Sequence, residues 1–257
     1  MLTPRFYQLK AIDMITQRFS TGVTRSLLSL ATGLGKTICF GLLAKKLNTR
    51  TLIIAHRDEL LVQAASKVKL VWPDSDIGFV KAELDEMENQ VVIASIQTAC
   101  KPNRLARLKE QGFGLCVVDE AHHATAHSYK SVLHELGFLG CDPNKLLLGC
   151  TATPRRADGM GLDEIFQEIP FHMGIKEGIE QGFLSPLIGR QILSRIDLKS
   201  VSSSHGDFIA SELSQAINTS SRNSLIVESF KNHASDRKKA LAFAQCCQFK
   251  VLVRNRS

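Results

Sequence analysis

The chain has 257 residues and a mass of 28.4 kDa, is 44% hydrophobic and 22% charged, and carries a net charge of +7 with near-zero mean hydropathy. That profile describes a globular protein of one large or two small domains. It excludes a membrane partner, because a spanning helix needs roughly 18 uninterrupted apolar residues and the richest stretch, Leu27 to Ala44, contains Lys36.

The first residues hold Arg5 and Lys10 around Pro4 and Tyr7, without an apolar core or a small-residue cleavage site, so no export signal is read there. Seven scattered cysteines without a CxxC pair fit a reducing interior. A cytoplasmic setting is expected, or a nuclear one in a eukaryote. The charge is uneven: +5 over 1–160, −4 over 161–230 and +6 over 231–257. Most of the excess sits in a short tail, which is weak support for a polyanion partner.

In chain order, short apolar runs occur at Ser26 to Leu30, Thr51 to Ala55, Val91 to Ser95, Leu115 to Val118 and Leu146 to Gly149. Each is nearly continuously apolar, as in a strand covered on both faces. Between them Leu60, Leu61, Ala64 and Val68 recur at helical spacing, as do Tyr129, Val132, Leu133 and Leu136. This βαβ rhythm predicts an α/β fold with a mostly parallel, doubly wound sheet and ligands at the carboxyl ends of its strands. Glu83 to Glu88 reads as a solvated acidic loop. After Asp158 the rhythm weakens, and a helix is expected from Ser221 to Lys231. The division expected is a first domain over 1–165, a connector over 166–200 and the start of a second domain over 201–257.

Two motifs carry chemistry. Ala31-Thr32-Gly33-Leu34-Gly35-Lys36-Thr37 follows the first strand and opens a helix. Glycines let the amides of Thr32 to Gly35 curl around phosphate oxygens, Lys36 reaches the β- and γ-phosphates, and Thr37 offers a hydroxyl to Mg²⁺. The general phosphate-loop pattern places a glycine where this chain has Leu30. The run Leu115 to Val118 ends in Asp119 and Glu120. Asp119 suits a Mg²⁺ ligand, and Glu120 suits a base for the attacking water. A GTPase should carry Asn-Lys-x-Asp, but Asn144-Lys145-Leu146-Leu147 lacks the aspartate. His122, His123 and His127 read as an ordinary polar helix start, since no fourth metal ligand is placed.

Asp119-Glu120-Ala121-His122 followed by Thr151-Ala152-Thr153 resembles motifs II and III of superfamily 2 DEAD/DEAH-type helicases, and the loop at 31–37 resembles their motif I, where Leu30 is ordinary. Pro4-Arg5-Phe6-Tyr7-Gln8 looks like the adenine-reading segment, which implies Gln8 on the base edge with Arg5 and Tyr7 beside the ring. Ala55 to Leu60 resembles motif Ia, and Ser95 to Thr98 resembles the later strand-end motif that touches the nucleic-acid backbone. The resemblance thereby implies backbone contacts from Arg57, Gln97 and Thr98, sequence-independent in kind, and coupling of nucleotide state to lobe movement by His122, Thr151 and Thr153. Asp119 to His123 with Thr153-Pro154-Arg155-Arg156 is most similar to XPB-like repair helicases and type III restriction subunits, which favours DNA over RNA.

The resemblance implies a RecA-like lobe binding ATP and Mg²⁺, a connector and a second lobe. Arg222-Asn223, Leu225 to Val227 and Ala240 to Ala244 resemble the entry into that lobe, and Cys246 to Ser257 departs from it. The expectation is an incomplete second lobe, with the missing part supplied by a full-length protein and this chain weak in turnover alone. The alternative is a binding module for nucleic acid or a partner, derived from a helicase and without turnover.

Overall fold

The structure is a computed structural model that describes residues 2–153, 162–193, 202–204, 207, 208, 210–237 and 240. It divides into two compact units, residues 1–186 and 187–257.

The first unit opens with α1 (Phe6–Ser20), then β1 (Arg25–Leu30), α2 (Lys36–Leu47), β2 (Thr51–Ala55), α3 (Asp58–Val71), β3 (Ile77–Lys81), β4 (Leu84–Asp85) and β5 (Val91–Ser95). There follow α4 (Ile96–Ala99), α5 (Pro102–Glu110), β6 (Leu115–Asp119), α6 (His127–Glu135), β7 (Leu146–Thr151), β8 (Glu168–Met173) and α7 (Ile175–Glu180). The strands form one sheet in the order β4-β3-β5-β2-β6-β7-β1-β8, parallel except where β3 meets β4. This is the doubly wound, mostly parallel sheet that the apolar runs predict, in keeping with the RecA-like lobe that the resemblance implies.

Strand periodicity sorts the core into two layers. Leu28, Leu30, Ile53, Ile93 and Val117 face a layer built with Tyr7, Ile12, Phe40, Leu43, Leu61 and Val68. Their neighbours Leu27, Leu52, Ile54, Val92 and Val118 face the other, with Ala99, Leu108, Tyr129, Val132 and Leu133. Each face thus takes helices, and the strands have no room for polar alternation.

Three strands of the first unit were not expected. β3 alternates partly covered and buried residues, so it carries no continuous apolar signal. β4 falls inside the expected acidic loop, which is tied down: Asp85 pairs with Arg104 and Arg107 of α5, and Met87 is buried. β8 lies in the expected connector, yet it pairs parallel with β1 and keeps residues up to 186 in the first unit. Pro170 interrupts its pattern beside a register shift between Ser26 and Leu28 of β1, as proline in an outer strand does.

The second unit holds a small hairpin, β9 (Ser203–Ser204) with β10 (Asp207–Phe208), and helices α8 (Ala210–Ile217) and α9 (Ser220–Ala234). Thr219 caps α9 by accepting from the Arg222 amide at 3.4 Å. Pro154 to Arg156, Leu241 to Ala244 and Cys246 to Ser257, to which the sequence reading gave roles, lie outside the described residues. Among the described residues no helix is long and apolar enough to cross a membrane.

Candidate nucleotide and nucleic-acid site

Register brings the motifs to one rim. Ser29 of β1 pairs with Thr151 of β7, and Asp119 of β6 pairs with Cys150 of β7, so β1, β7 and β6 end side by side. Two strand spacings separate β1 from β6, about 10 Å, a gap within the reach of a lysine on the first turn of α2. Lys36 and Asp119 interact electrostatically across it. On the other side of β6, Ala55 of β2 pairs with Ser95 of β5, which sets the chain at 56–57 beside α4.

The loop between β1 and α2 owes its shape to two glycines in left-handed backbone, Gly33 at φ +91° and Gly35 at φ +79°. A Cβ at Gly35 would lie 2.7 Å from Gln8 Nε2, so the position needs glycine for space as well as conformation. Two buried donors hold the Leu34 carbonyl: the Tyr7 hydroxyl at 2.6 Å and Gln8 Nε2 at 3.1 Å. In a trans peptide the carbonyl and the next amide point opposite ways. The Gly35 N–H is therefore turned away from α1, toward the side where α2 begins. From the other direction the Ala31 amide donates to Met173 O at 3.0 Å, and the Leu34 and Leu184 side chains pack around Gly178.

Several sequence-predicted residues take different parts from those expected. Tyr7 is fully buried, with its hydroxyl bonded and its ring 4.6 Å from that of Phe183, so it is not free to stack on a base. Gln8 is committed at both ends, because Oε1 accepts from the Arg5 amide at 2.9 Å while Nε2 holds the loop. The aromatic surface beside Arg5 that does reach solvent is Phe6, 64% exposed and 5.6 Å from Phe183. Leu34 contributes backbone alone to any ligand, its side chain being enclosed. Thr32 and Gly33 are exposed, and Lys36 and Thr37 are partly so.

Asp119 is buried, and burial raises its carboxyl pKa; the Glu120 amide, donating to Oδ1 at 3.0 Å, and the Lys36 charge pull it back. Glu120 sits at φ +50°, left-handed for a residue with a side chain, a conformation costing about 1–3 kcal/mol and typical of sites under functional constraint. Its Oε2 lies 3.3 Å from His122 Nδ1, out of line for a hydrogen bond. The buried Thr151 hydroxyl closes a turn with Thr153, donating to its carbonyl and accepting from its amide, both at 3.1 Å.

Of the expected backbone-contacting residues, Arg57 and Gln97 are exposed, and Gln97 Nε2 donates to the His56 carbonyl at 3.0 Å. Thr98 is different. It is buried, and its hydroxyl accepts from the Ala82 amide at 3.3 Å and lies 3.1 Å from Ser95 Oγ. It fastens the β3–β4 turn to α4 and is not available to a phosphate.

Sequence reasoning missed Phe183 and Leu184, which back the phosphate loop, and the rings of His56 and His123, centroids 4.4 Å apart. Gly182 before Phe183 and Pro186 shortly after it marked a turn, but nothing local signals what a turn packs against. Thr37 and Asp119 supply hydroxyl and carboxylate oxygens, the hard donors Mg²⁺ prefers, and the glycine amides beside Lys36 suit phosphate, so the residues present fit a magnesium nucleotide. Among the described residues no group of three or more His, Cys, Asp or Glu could hold a metal by itself.

The sequence family described as the type III restriction enzyme res subunit matches residues 1–156. A Saccharomyces cerevisiae protein named as the ATP-dependent helicase IRC3 is 32% identical over 245 residues, covering 91% of this chain and 35% of that protein. A Schizosaccharomyces pombe protein named as the mitochondrial ATP-dependent helicase irc3 is 33% identical over 193 residues, covering 70% and 31%. The chain spans about a third of the length of these relatives. Among solved structures, a nuclease-deletion mutant of the type ISP restriction-modification enzyme LlaGI in complex with a DNA substrate mimic superposes at TM-score 0.56 with 16% identity, over 71% of this chain and 21% of that one, a likeness of fold.

Proposed function

Because the chain belongs to the type III restriction enzyme res-subunit family and carries a superfamily 2 helicase-type N-terminal lobe, we propose that it binds ATP with Mg²⁺ and contacts a nucleic-acid backbone, as one lobe of a translocating motor. The observation that carries the reading is the shared rim: the loop of Gly33, Gly35 and Lys36 opens within electrostatic reach of Asp119. In this reading the amides of Thr32 to Gly35 bind phosphate oxygens, and Lys36 neutralises charge on the terminal phosphates. Thr37 and Asp119 would hold the magnesium ion, which when bound would neutralise charge developing on the phosphates. Glu120 would orient the attacking water and take its proton, with His122 as its neighbour. Arg5 and Phe6 would flank a base, the exposed ring of Phe6 supporting that part of the reading.

Contacts from Arg57 and Gln97 would be sequence-independent, because phosphates carry no sequence information. DNA is the polymer we assign, in keeping with the restriction-enzyme family to which the chain belongs. Buried, unbridged thiols at Cys39, Cys116 and Cys150 fit a reducing interior. A mitochondrial setting, as in the name of the fission-yeast relative, suits them as well as a cytoplasmic one.

The test is a titration of the chain with a fluorescent ATP analogue, with Mg²⁺ and with EDTA. Saturable binding that weakens on chelation is expected. Failure to bind nucleotide, together with retained affinity for single-stranded DNA, would instead identify a binding module without turnover.

A further inference from the structure

A chain of side-chain contacts crosses the rim from the nucleic-acid side to the nucleotide side. His56 directly follows β2 and precedes Arg57, and its carbonyl accepts from Gln97 Nε2 at 3.0 Å. Its ring meets that of His123 edge-on, with centroids 4.4 Å apart and planes at 61°. His123 in turn lies 4.1 Å from the His122 ring, and His122 Nδ1 lies 3.3 Å from Glu120 Oε2. The turn bearing Arg57 is therefore linked without a gap to the carboxylate assigned to the attacking water.

Two further features give this contact chain its character. His56 Nδ1 is buried without a hydrogen-bond partner, so ring packing fixes the side chain there. Burial and the nearby Arg57 and His122 lower its pKa against the opposing pull of Glu120 and Asp119, which favours a neutral ring that can lie against another imidazole. Glu120 itself has little backbone freedom, since its left-handed φ is fixed between the Asp119 contact and the short 3₁₀ turn at Ala121–His123. Its carboxylate can be adjusted mainly through side-chain torsions, against His122.

We propose that His56 is a positioning residue, which through His123 and His122 fixes the place of the Glu120 carboxylate and so couples occupancy of the nucleic-acid face to the nucleotide site. The assignment rests on the function proposed above and adds to it a physical link between the two ligands. Coupling of this kind is carried by contiguous packed groups and is reciprocal in free energy.

The experiment measures the Kd of the 257-residue chain for a fluorescent ATP analogue with Mg²⁺, with and without a saturating single-stranded oligonucleotide. The wild-type ratio is expected to be about fivefold or more, the lower end of ordinary coupling. His56→Ala should bring the ratio to about one while leaving the Kd without oligonucleotide within about twofold. His56→Phe, which keeps a ring but no nitrogens, should restore most of it, because the contact acts by packing. His123→Ala should abolish the ratio as well, and combining it with His56→Ala should cause no further loss.

A wild-type ratio in His56→Ala, or no rescue by His56→Phe, overturns the proposal, as does a ratio of one in wild-type protein that binds both ligands. Wild-type protein that binds no nucleotide would defeat the function proposed above instead. Should His56→Ala fail to fold in a thermal melt, His123→Ala carries the same expectation and the same refutation.

Discussion

Removing both donors from the Leu34 carbonyl should cost more than the sum of removing each. The Tyr7 hydroxyl and Gln8 Nε2 reach that one buried oxygen at 2.6 and 3.1 Å. Tyr7→Phe leaves Gln8 in place, so the oxygen stays bonded and the loss is about 0.5–1.5 kcal/mol. Gln8→Met keeps the volume near Gly35 but removes the acceptor of the Arg5 amide as well, and about 1–2 kcal/mol is expected. The double variant leaves a buried carbonyl with neither donor, a penalty of about 1–3 kcal/mol beyond the sum. Urea unfolding followed through Trp72, the single tryptophan, reads the first unit, because Trp72 packs against the core layer containing Tyr7. Affinity for a magnesium nucleotide should fall in the same order, since the carbonyl orients the Gly35 amide. Losses that add within about 0.5 kcal/mol would refute the claim that these two side chains share the task of setting the loop.

Lys36→Ala should weaken nucleotide binding at least tenfold in calorimetric titration, as loss of a phosphate-facing cation costs about 1.5–3 kcal/mol; unchanged affinity would remove Lys36 from the site. Arg57→Ala should weaken oligonucleotide binding and lower its salt slope by about one, whereas Thr98→Val should cost about 1–3 kcal/mol of stability and leave that slope alone. Equal salt slopes in wild type and Arg57→Ala would show that Arg57 meets no phosphate. Alkaline solution should destabilise the fold through its buried thiols. Burial raises Cys39 from 9.0 to about 12, and moves Cys116 and Cys150 upward too. The folded chain then keeps protons that the unfolded chain releases, so each thiol subtracts about 1.4 kcal/mol per pH unit from about pH 9 up to its folded value. Cys39→Ala should show a shallower fall in urea midpoint between about pH 8 and pH 10 than wild type, and parallel curves would refute it.

The central strands were legible because each is buried on both faces and must be apolar throughout; β2, β5 and β6 are covered at every position. The outer strands escaped for the same reason inverted. With one side or one edge less covered, β3 tolerates partly covered positions and β8 exposed ones, and their pairing is decided by partners distant in sequence. The tight turn at 31–37 was readable because Gly33 and Gly35 take left-handed backbone between β1 and α2. What Tyr7, Gln8 and Thr98 do was not readable, since a residue type suited to meeting a ligand is equally suited to bonding a backbone group, and burial alone decides which. Tyr7 lies inside and Phe6 outside because α1 turns position 7 toward the sheet, a choice of helix phase that a five-residue motif does not reveal.

The supports of the loop between β1 and α2 come from both ends of the first unit, and this sets a timetable for synthesis. Residues 5–8 are made before the loop, but Met173 and Leu184 leave the ribosome roughly 150 residues after it, a delay of about 7–30 s at ordinary elongation rates. Until then Ala31 lacks its acceptor and Gly33 its neighbour. A nascent chain should therefore acquire nucleotide affinity late and abruptly, when β8 docks beside β1.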